Sequence, residues 1–279
     1  MNKLHPSDYI VFLFYFVLVS CYGYYVYSKK NKNSTSGTKD FFLAEGSLTW
    51  WAIGASLIAS NISAEHFIGM SGSGFALGLA ISTYEWMAAA TLIIVAIFFI
   101  PVYLKNKIYT MPQFLAKRYN DTVSTIMAVF WILVYVFVNL TSILYLGAIA
   151  ITSISTISFT WCIAGLIIFS VVVTLGGMKV IGYTDVIQVT VLMIGGLVTT
   201  YLALDMLAAK AGDAGNIWTG LTFLQEKADS HFHMIFEDDH PYYKDLPGLT
   251  VLIGGMWINN LNYWGCNQYI TQRALGADL

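Results

Sequence analysis

The sequence predicts an all-α membrane protein that crosses the bilayer about seven times. Hydrophobic residues make up 57% of it and charged residues only 11%, about half the charge of a soluble domain. Lys and Arg are absent from 4–28, 40–104, 119–178, 180–209 and 245–272. Those gaps hold apolar runs near the ~20 residues that a helix needs to cross a ~30 Å hydrocarbon layer. Mean hydropathy is +0.65, which excludes a disordered chain. A net charge of −2 supplies no basic field for nucleic acid.

The qualifying runs are 9–27, 49–77, 79–104, 123–154, 159–175, 184–208 and 248–270. The first reads as a spanning helix and not as a cleaved leader. It follows an acidic Asp8, exceeds a leader's apolar core, and has no small-residue cleavage site before Lys29. Lys29, Lys30, Lys32, Lys39, Lys105, Lys107, Lys117, Arg118, Lys179 and Arg273 fall on one side if the runs alternate. Only Lys3, Lys210, Lys227 and Lys244 fall on the other. The positive-inside rule then puts the N-terminus outside and the Lys-rich loops in the cytoplasm. The acidic stretch 209–247 becomes an external loop with a short helix near 216–227. Cys21, Cys162 and Cys266 sit far apart in apolar runs and read as small buried residues. The chain ends at Leu279, just past the seventh run, so a C-terminal remainder is expected.

The second run is unusual. Its 29 residues would make a rod of ~43 Å, longer than the membrane is thick. At its middle lies Ser60-Asn61-Ile62-Ser63-Ala64-Glu65-His66, followed by Gly69, Gly72, Gly74 and Gly78. A helix that unwinds there frees main-chain carbonyls for a cation, and lipid tolerates such a break only where it lines a cavity. The alternative is a continuous helix whose small residues pack against neighbours. The glycines do not form a nucleotide loop, because no strand precedes them and no Lys-Ser/Thr follows.

Charges inside spans are costly and usually face a cavity or an ion path. Glu65, Glu85 and Asp185 are such residues, while Asp205 reads as interfacial. Glu85 lies between Tyr84 and Trp86, a carboxylate flanked by rings, which suits sugar hydroxyls and an apolar sugar face. Asp185 is alternatively a carboxylate favoured by the dipole at the start of the sixth helix. His66 lies about 100° around a helix from Glu65, so the two do not face each other. His231, His233 and His240 leave a zinc site conceivable in the external loop. Asn259, Asn260 and Asn262, with Trp257 and Tyr263, suit a pocket in the seventh run; interface-belt aromatics are the alternative. No nucleophile–base pair, phosphate loop or metal set emerges, so an enzyme is not expected.

The string Trp50-Trp51-Ala52-Ile53-Gly54-Ala55-Ser56-Leu57-Ile58-Ala59-Ser60-Asn61-Ile62-Ser63-Ala64-Glu65-His66-Phe67-Ile68-Gly69 resembles the first core helix of the sodium:solute symporters. The same family is resembled by Tyr84-Glu85-Trp86, by Gly176-Gly177 with Thr184-Asp185-Val186-Ile187-Gln188, and by Asn260…Tyr263-Trp264-Gly265-x-Asn267-Gln268-Tyr269-Ile270-x-Gln272-Arg273. The likeness is nearest to the sodium/sugar branch. It implies a leucine-transporter-like inverted-repeat fold. Residues 1–47 would hold an extra helix and cytoplasmic loop, 48–208 the first five-helix repeat, 209–247 the external loop, and 248–279 the first helix of the second repeat.

The resemblance further implies sodium-coupled symport of a glucose- or galactose-type sugar by alternating access across the cytoplasmic membrane. Na+ would be the coupling ion. Ala59 and Ile62 would offer it carbonyls, with Asp185 on its exit path or, as in some members, at a second sodium site. Asn61, His66, Glu85 and Asn260 would bond the sugar, Tyr263 would stack on it, and Trp264 would stand beside Tyr263. His66 stands where the bacterial galactose pattern has Gln and the animal glucose pattern has His. Ala88 stands where the bacterial pattern has Ser. The remaining sodium and sugar ligands would lie beyond Leu279. The scaffold also serves inositol, sialic acid or amino-acid symport, or a membrane sensor input module.

Overall fold

The computed structural model describes residues 4–29, 48–175, 177–246 and 248–276. Most of the Lys-rich stretch 28–48, with the boundary at residue 47, lies outside them, as do Gly176 and Leu279. Every regular element among the described residues is a helix.

α1 spans Pro6–Ser28. His5 caps it by accepting from the Ser7 amide, and Asp8 returns the bond by accepting from the His5 amide at 2.8 Å. α2 runs Trp50–Asn61 and stops. The chain restarts through a π-helical turn, His66–Met70, into α3, Ser71–Leu77. α4 covers Ala80–Lys105 and widens to a π-helical turn at Val95–Phe99. That widening precedes Pro101, which has no N–H for the preceding turn and crowds it.

α5, Met111–Arg118, starts at the Thr110 cap, and α6, Asp121–Ile154, starts at the Asn120 cap. α7 is Phe159–Leu175 and α8 is Gly177–Lys210. α9, Ile217–Lys227, forms where the short loop helix was expected. α10, α11 and α12 are Gly248–Ile253, Gly255–Cys266 and Gln268–Ala274.

Among the described residues four helices, α1, α4, α6 and α8, are continuous, long and apolar enough to cross a membrane. The expected run 159–175 matches the 17 residues of α7. The expected runs 49–77 and 248–270 are broken helices. The break at Gly254, and the second at Asn267, were not expected; Asn267 is extended, with ψ 124°. The sixth span begins at Gly177 and not at 184, because Lys179 sits at the helix end, where a long side chain can reach water. Asp185 therefore lies in the third turn of α8, which removes the helix-start reading of its carboxylate.

α8 is the packing centre. It contacts α1, α2 and α9, while α11 packs on α4 and α12 on α2. Leu48 and Ala52 are buried against Met178, Tyr183 and Val186. Large apolar side chains such as Phe14, Phe137 and Leu197 face outward, as in a multi-pass membrane protein.

The segment after α9 folds over the α3–α4 turn. Leu79 donates its amide to the His231 carbonyl at 2.7 Å, and Thr83 Oγ1 donates to the Met234 carbonyl at 2.8 Å. Gly78 makes this approach possible. Its φ is +70°, and a Cβ there would lie 2.2 Å from the His231 oxygen. Gly78→Ala should cost about 2 kcal/mol. Thermal unfolding in detergent checks it, and a midpoint equal to the parent's would show that the segment can lift off freely.

Candidate functional site

The break in the second run has a defined structure. Ile62 is extended, with ψ 116°, and its amide bonds the Ile58 carbonyl. In a continuous helix the Ser63 amide would bond the Ala59 carbonyl and the His66 amide the Ile62 carbonyl. Neither does so here. The Ser63 amide donates to His66 Nδ1 at 3.2 Å, and the His66 amide donates to the Ser63 carbonyl at 3.1 Å. The Ser63 hydroxyl accepts from the Glu65 amide at 3.3 Å. The carbonyls of Ala59 and Ile62 are thus left without the donors that a continuous helix would supply.

Two cavities flank this break. The larger, of about 240 Å³, is lined by Asn61, His66, Tyr84, Glu85, Ala88, Met256, Asn259, Asn260, Tyr263 and Trp264. Six of these are the predicted solute contacts, drawn from α2, the restart, α4 and α11. The Tyr263 hydroxyl donates to Asn61 Oδ1 at 3.0 Å, and the Tyr269 hydroxyl donates to the Tyr263 hydroxyl at 2.9 Å. Asn260 spends its NH₂ on the Met256 carbonyl at 3.1 Å, leaving its oxygen for the cavity. Trp264 packs edge-on to Tyr263 and is 7% exposed, buried with Ala88, Val95 and Ile270.

The smaller cavity, of about 60 Å³, is lined by Ile58, Ala59, Ile62, Gln188, Val189 and Leu192. It lies between the residues at the break and the α8 face. Asp185 lies on that face, three and four residues before Gln188 and Val189. The carboxylate does not line the cavity. It is 6% exposed, accepts from the Ser56 hydroxyl at 2.5 Å, and pairs with Arg273 Nη1 at 2.6 Å. Arg273 also bonds the Ser56 hydroxyl. Three helices, α2, α8 and α12, thereby meet at one buried ion pair.

Other groups fall elsewhere. Trp86 is 67% exposed and does not line the cavity, because it lies about 200° around the helix from Tyr84, which does. Glu65 turns to α6 and accepts from the Ser142 hydroxyl at 2.5 Å. His231 Nε2 pairs with the Phe75 carbonyl, and His240 stacks on Phe236. No cluster of three or more His, Cys, Asp or Glu suited to a metal occurs among the described residues.

Sequence reasoning passed over Met256 and the role of Arg273. Only the α4–α11 and α8–α12 contacts reveal them. Spacing had offered one usable hint, since Met256, Asn259, Asn260 and Tyr263 repeat at helical intervals.

Hydrogen bonds tie the α11–α12 break to α4, α5 and α6. The Tyr103 hydroxyl donates to the Gly265 carbonyl at 2.9 Å, and the Met111 amide donates to Gln268 Oε1 at 2.7 Å. The Tyr135 hydroxyl donates to Asn267 Oδ1 at 2.8 Å.

The model of the "Sodium:solute symporter family" matches residues 41–278. A sodium/glucose cotransporter of Vibrio parahaemolyticus is 49% identical over 271 residues, covering 97% of this chain and 49% of the relative. The Homo sapiens sodium/myo-inositol cotransporter 2 is 34% identical, covering 98% of this chain and 41% of the relative. The chain thus spans about half the length of these relatives. A solved Na+-coupled sialic acid symporter, in a substrate-bound outward-open state, superposes with a TM-score of 0.77 at 21% identity. That likeness covers 98% of this chain and 54% of the symporter, and it shows the leucine-transporter-like fold. The family and these relatives are transporters and not enzymes.

The buried pair yields a stability prediction. Arg273→Ala strands the Asp185 carboxylate and should cost about 3–5 kcal/mol. Asp185→Asn with Arg273→Met should recover most of that. Denaturant titration in detergent measures both, and an unchanged midpoint for Arg273→Ala would refute the pairing.

Proposed function

Since the chain belongs to the sodium:solute symporter family, we propose that it contributes the solute pocket and part of the cation site of a sodium-coupled sugar symporter. The protein would lie in the cell's plasma membrane, the inner membrane in a bacterium, with its N-terminus outside. The ion gradient would drive uptake through alternating access. The C-terminal remainder carried by the longer relatives would complete the sites.

The observation that carries this reading is the polarity of the larger cavity. His66 Nδ1 accepts the Ser63 amide, so the neutral ring holds its proton on Nε2 and is a donor there. Asn61 Oδ1 is taken by Tyr263, which leaves its NH₂ as a second donor. Glu85 and the Asn260 oxygen are acceptors. Such alternation suits hydroxyls, each of which both donates and accepts. Tyr263 and Trp264 supply an apolar face beside it. Among the described residues that line it, none is Lys or Arg, and the remainder carried by the longer relatives would supply the rest of the wall. A cyclitol remains the second reading, because it presents the same hydroxyls.

Na+ would sit at the carbonyls of Ala59 and Ile62, in the smaller cavity, with Asp185 one turn away along α8. An ion there would stabilise the unwound segment that also carries Asn61 and His66. A ligand shifts a two-state equilibrium only by its differential affinity. Sodium bound at the break would favour the state in which the solute groups converge.

The test is sodium-driven uptake of D-glucose into liposomes by the protein expressed from its complete gene. Glu85→Ala should weaken apparent sugar affinity about 10- to 100-fold, the worth of a hydrogen bond to a charged group. Undiminished uptake by both Glu85→Ala and His66→Ala would remove the assigned pocket. Competition by myo-inositol, galactose and sialic acid ranks the solutes.

A further inference from the structure

His66 faces two ways, and its second contact is not to the solute cavity. Helices often begin with a reciprocal cap in which a Ser or Thr at the N-cap bonds an amide of the first turn. The residue three positions on then accepts the N-cap amide with its side chain. Ser63 and His66 have that spacing. The Ser63 hydroxyl accepts from the Glu65 amide, the Ser63 amide donates to His66 Nδ1, and the His66 amide closes the turn on the Ser63 carbonyl. An imidazole fills the place that Glu or Gln usually takes. The bond matters because the Ser63 amide is the donor that would otherwise seal the Ala59 carbonyl.

We infer that His66 is a positioning residue for the cation site: Nδ1 holds the Ser63 amide away from Ala59 and so keeps the Ala59 carbonyl open to sodium, while Nε2 meets the solute. The inference rests on the symporter reading above and extends it, since one ring then joins the two sites. The coupling is local. Removing the Nδ1 acceptor lets the Ser63 amide return to Ala59, rewinds the break by one hydrogen bond, and costs sodium a ligand even with no sugar present. Glutamine is the one substitution that keeps both contacts, because its oxygen can take the Ser63 amide while its NH₂ points to the cavity.

The experiment measures ²²Na+ binding to the complete, purified protein in detergent with no solute, and then D-glucose binding at saturating sodium. His66→Ala should weaken sodium about fivefold without solute, the worth of one ordinary hydrogen bond. His66→Gln should stay within twofold of the parent. His66→Leu, which fills the space of the ring, repeats the measurement if the alanine variant does not fold. A sodium affinity within twofold of the parent for His66→Ala or His66→Leu overturns the inference and leaves the symporter reading intact. A parent protein that binds no sodium overturns both.

Discussion

A main-chain carbonyl has almost nothing to bond with inside a hydrocarbon layer except another part of the protein. That constraint decides most of what is unusual in this molecule. α2 ends at Asn61 between flanking turns that remain helical, so the amides and carbonyls near Ile62 and Ser63 need substitute partners. Ser63 and His66 supply them for the amides. The Ala59 and Ile62 carbonyls receive none from the helix, and a small cavity lies against them. An unpaired acceptor facing a void in an apolar layer costs free energy. It is sustained because α8 packs on α2 and α6 contacts the His66–Met70 turn.

The second constraint is electrostatic. A buried ion pair does little for stability, but losing one partner is expensive. Asp185 and Arg273 therefore act as a joint more than as a glue. They specify which turn of α8 faces which turn of α12, with the Ser56 hydroxyl fixing α2 between them. The face of α8 so oriented also carries Gln188 and Val189 to the wall of the smaller cavity. The register of that wall thus follows from a charge pair one turn away.

Much of this was legible in the sequence, and the limits have physical causes. The apolar runs marked α1, α4, α6, α7 and α8, because hydrocarbon thickness sets span length. The cluster of polar residues at 60–66 marked the break, because lipid tolerates few of them. The breaks at Gly254 and Asn267 left no comparable mark. Glycine and asparagine are common enough in membrane helices that only tertiary packing distinguishes a kink from a passenger. Glu85 was identified by its cost in lipid. Trp86 was wrongly paired with it, since chain adjacency is not facial adjacency on a helix. The partner of Asp185 was out of reach, because 88 residues separate it from Arg273 and no local pattern spans that gap.

The short helix α12 ties these elements together. Tyr269 and Arg273 are four residues apart, so they share one face of a helix. Tyr269 bonds Tyr263, which lines the larger cavity, and Arg273 bonds Asp185 beside the smaller one. Seven helical residues behave as a rigid peg. They cannot carry Tyr269 away from Tyr263 without also drawing Arg273 from Asp185. The larger cavity and the ion pair beside the smaller one are therefore tied through α12. That tie needs no long pathway, since Tyr269 and Arg273 lie about one turn of helix apart.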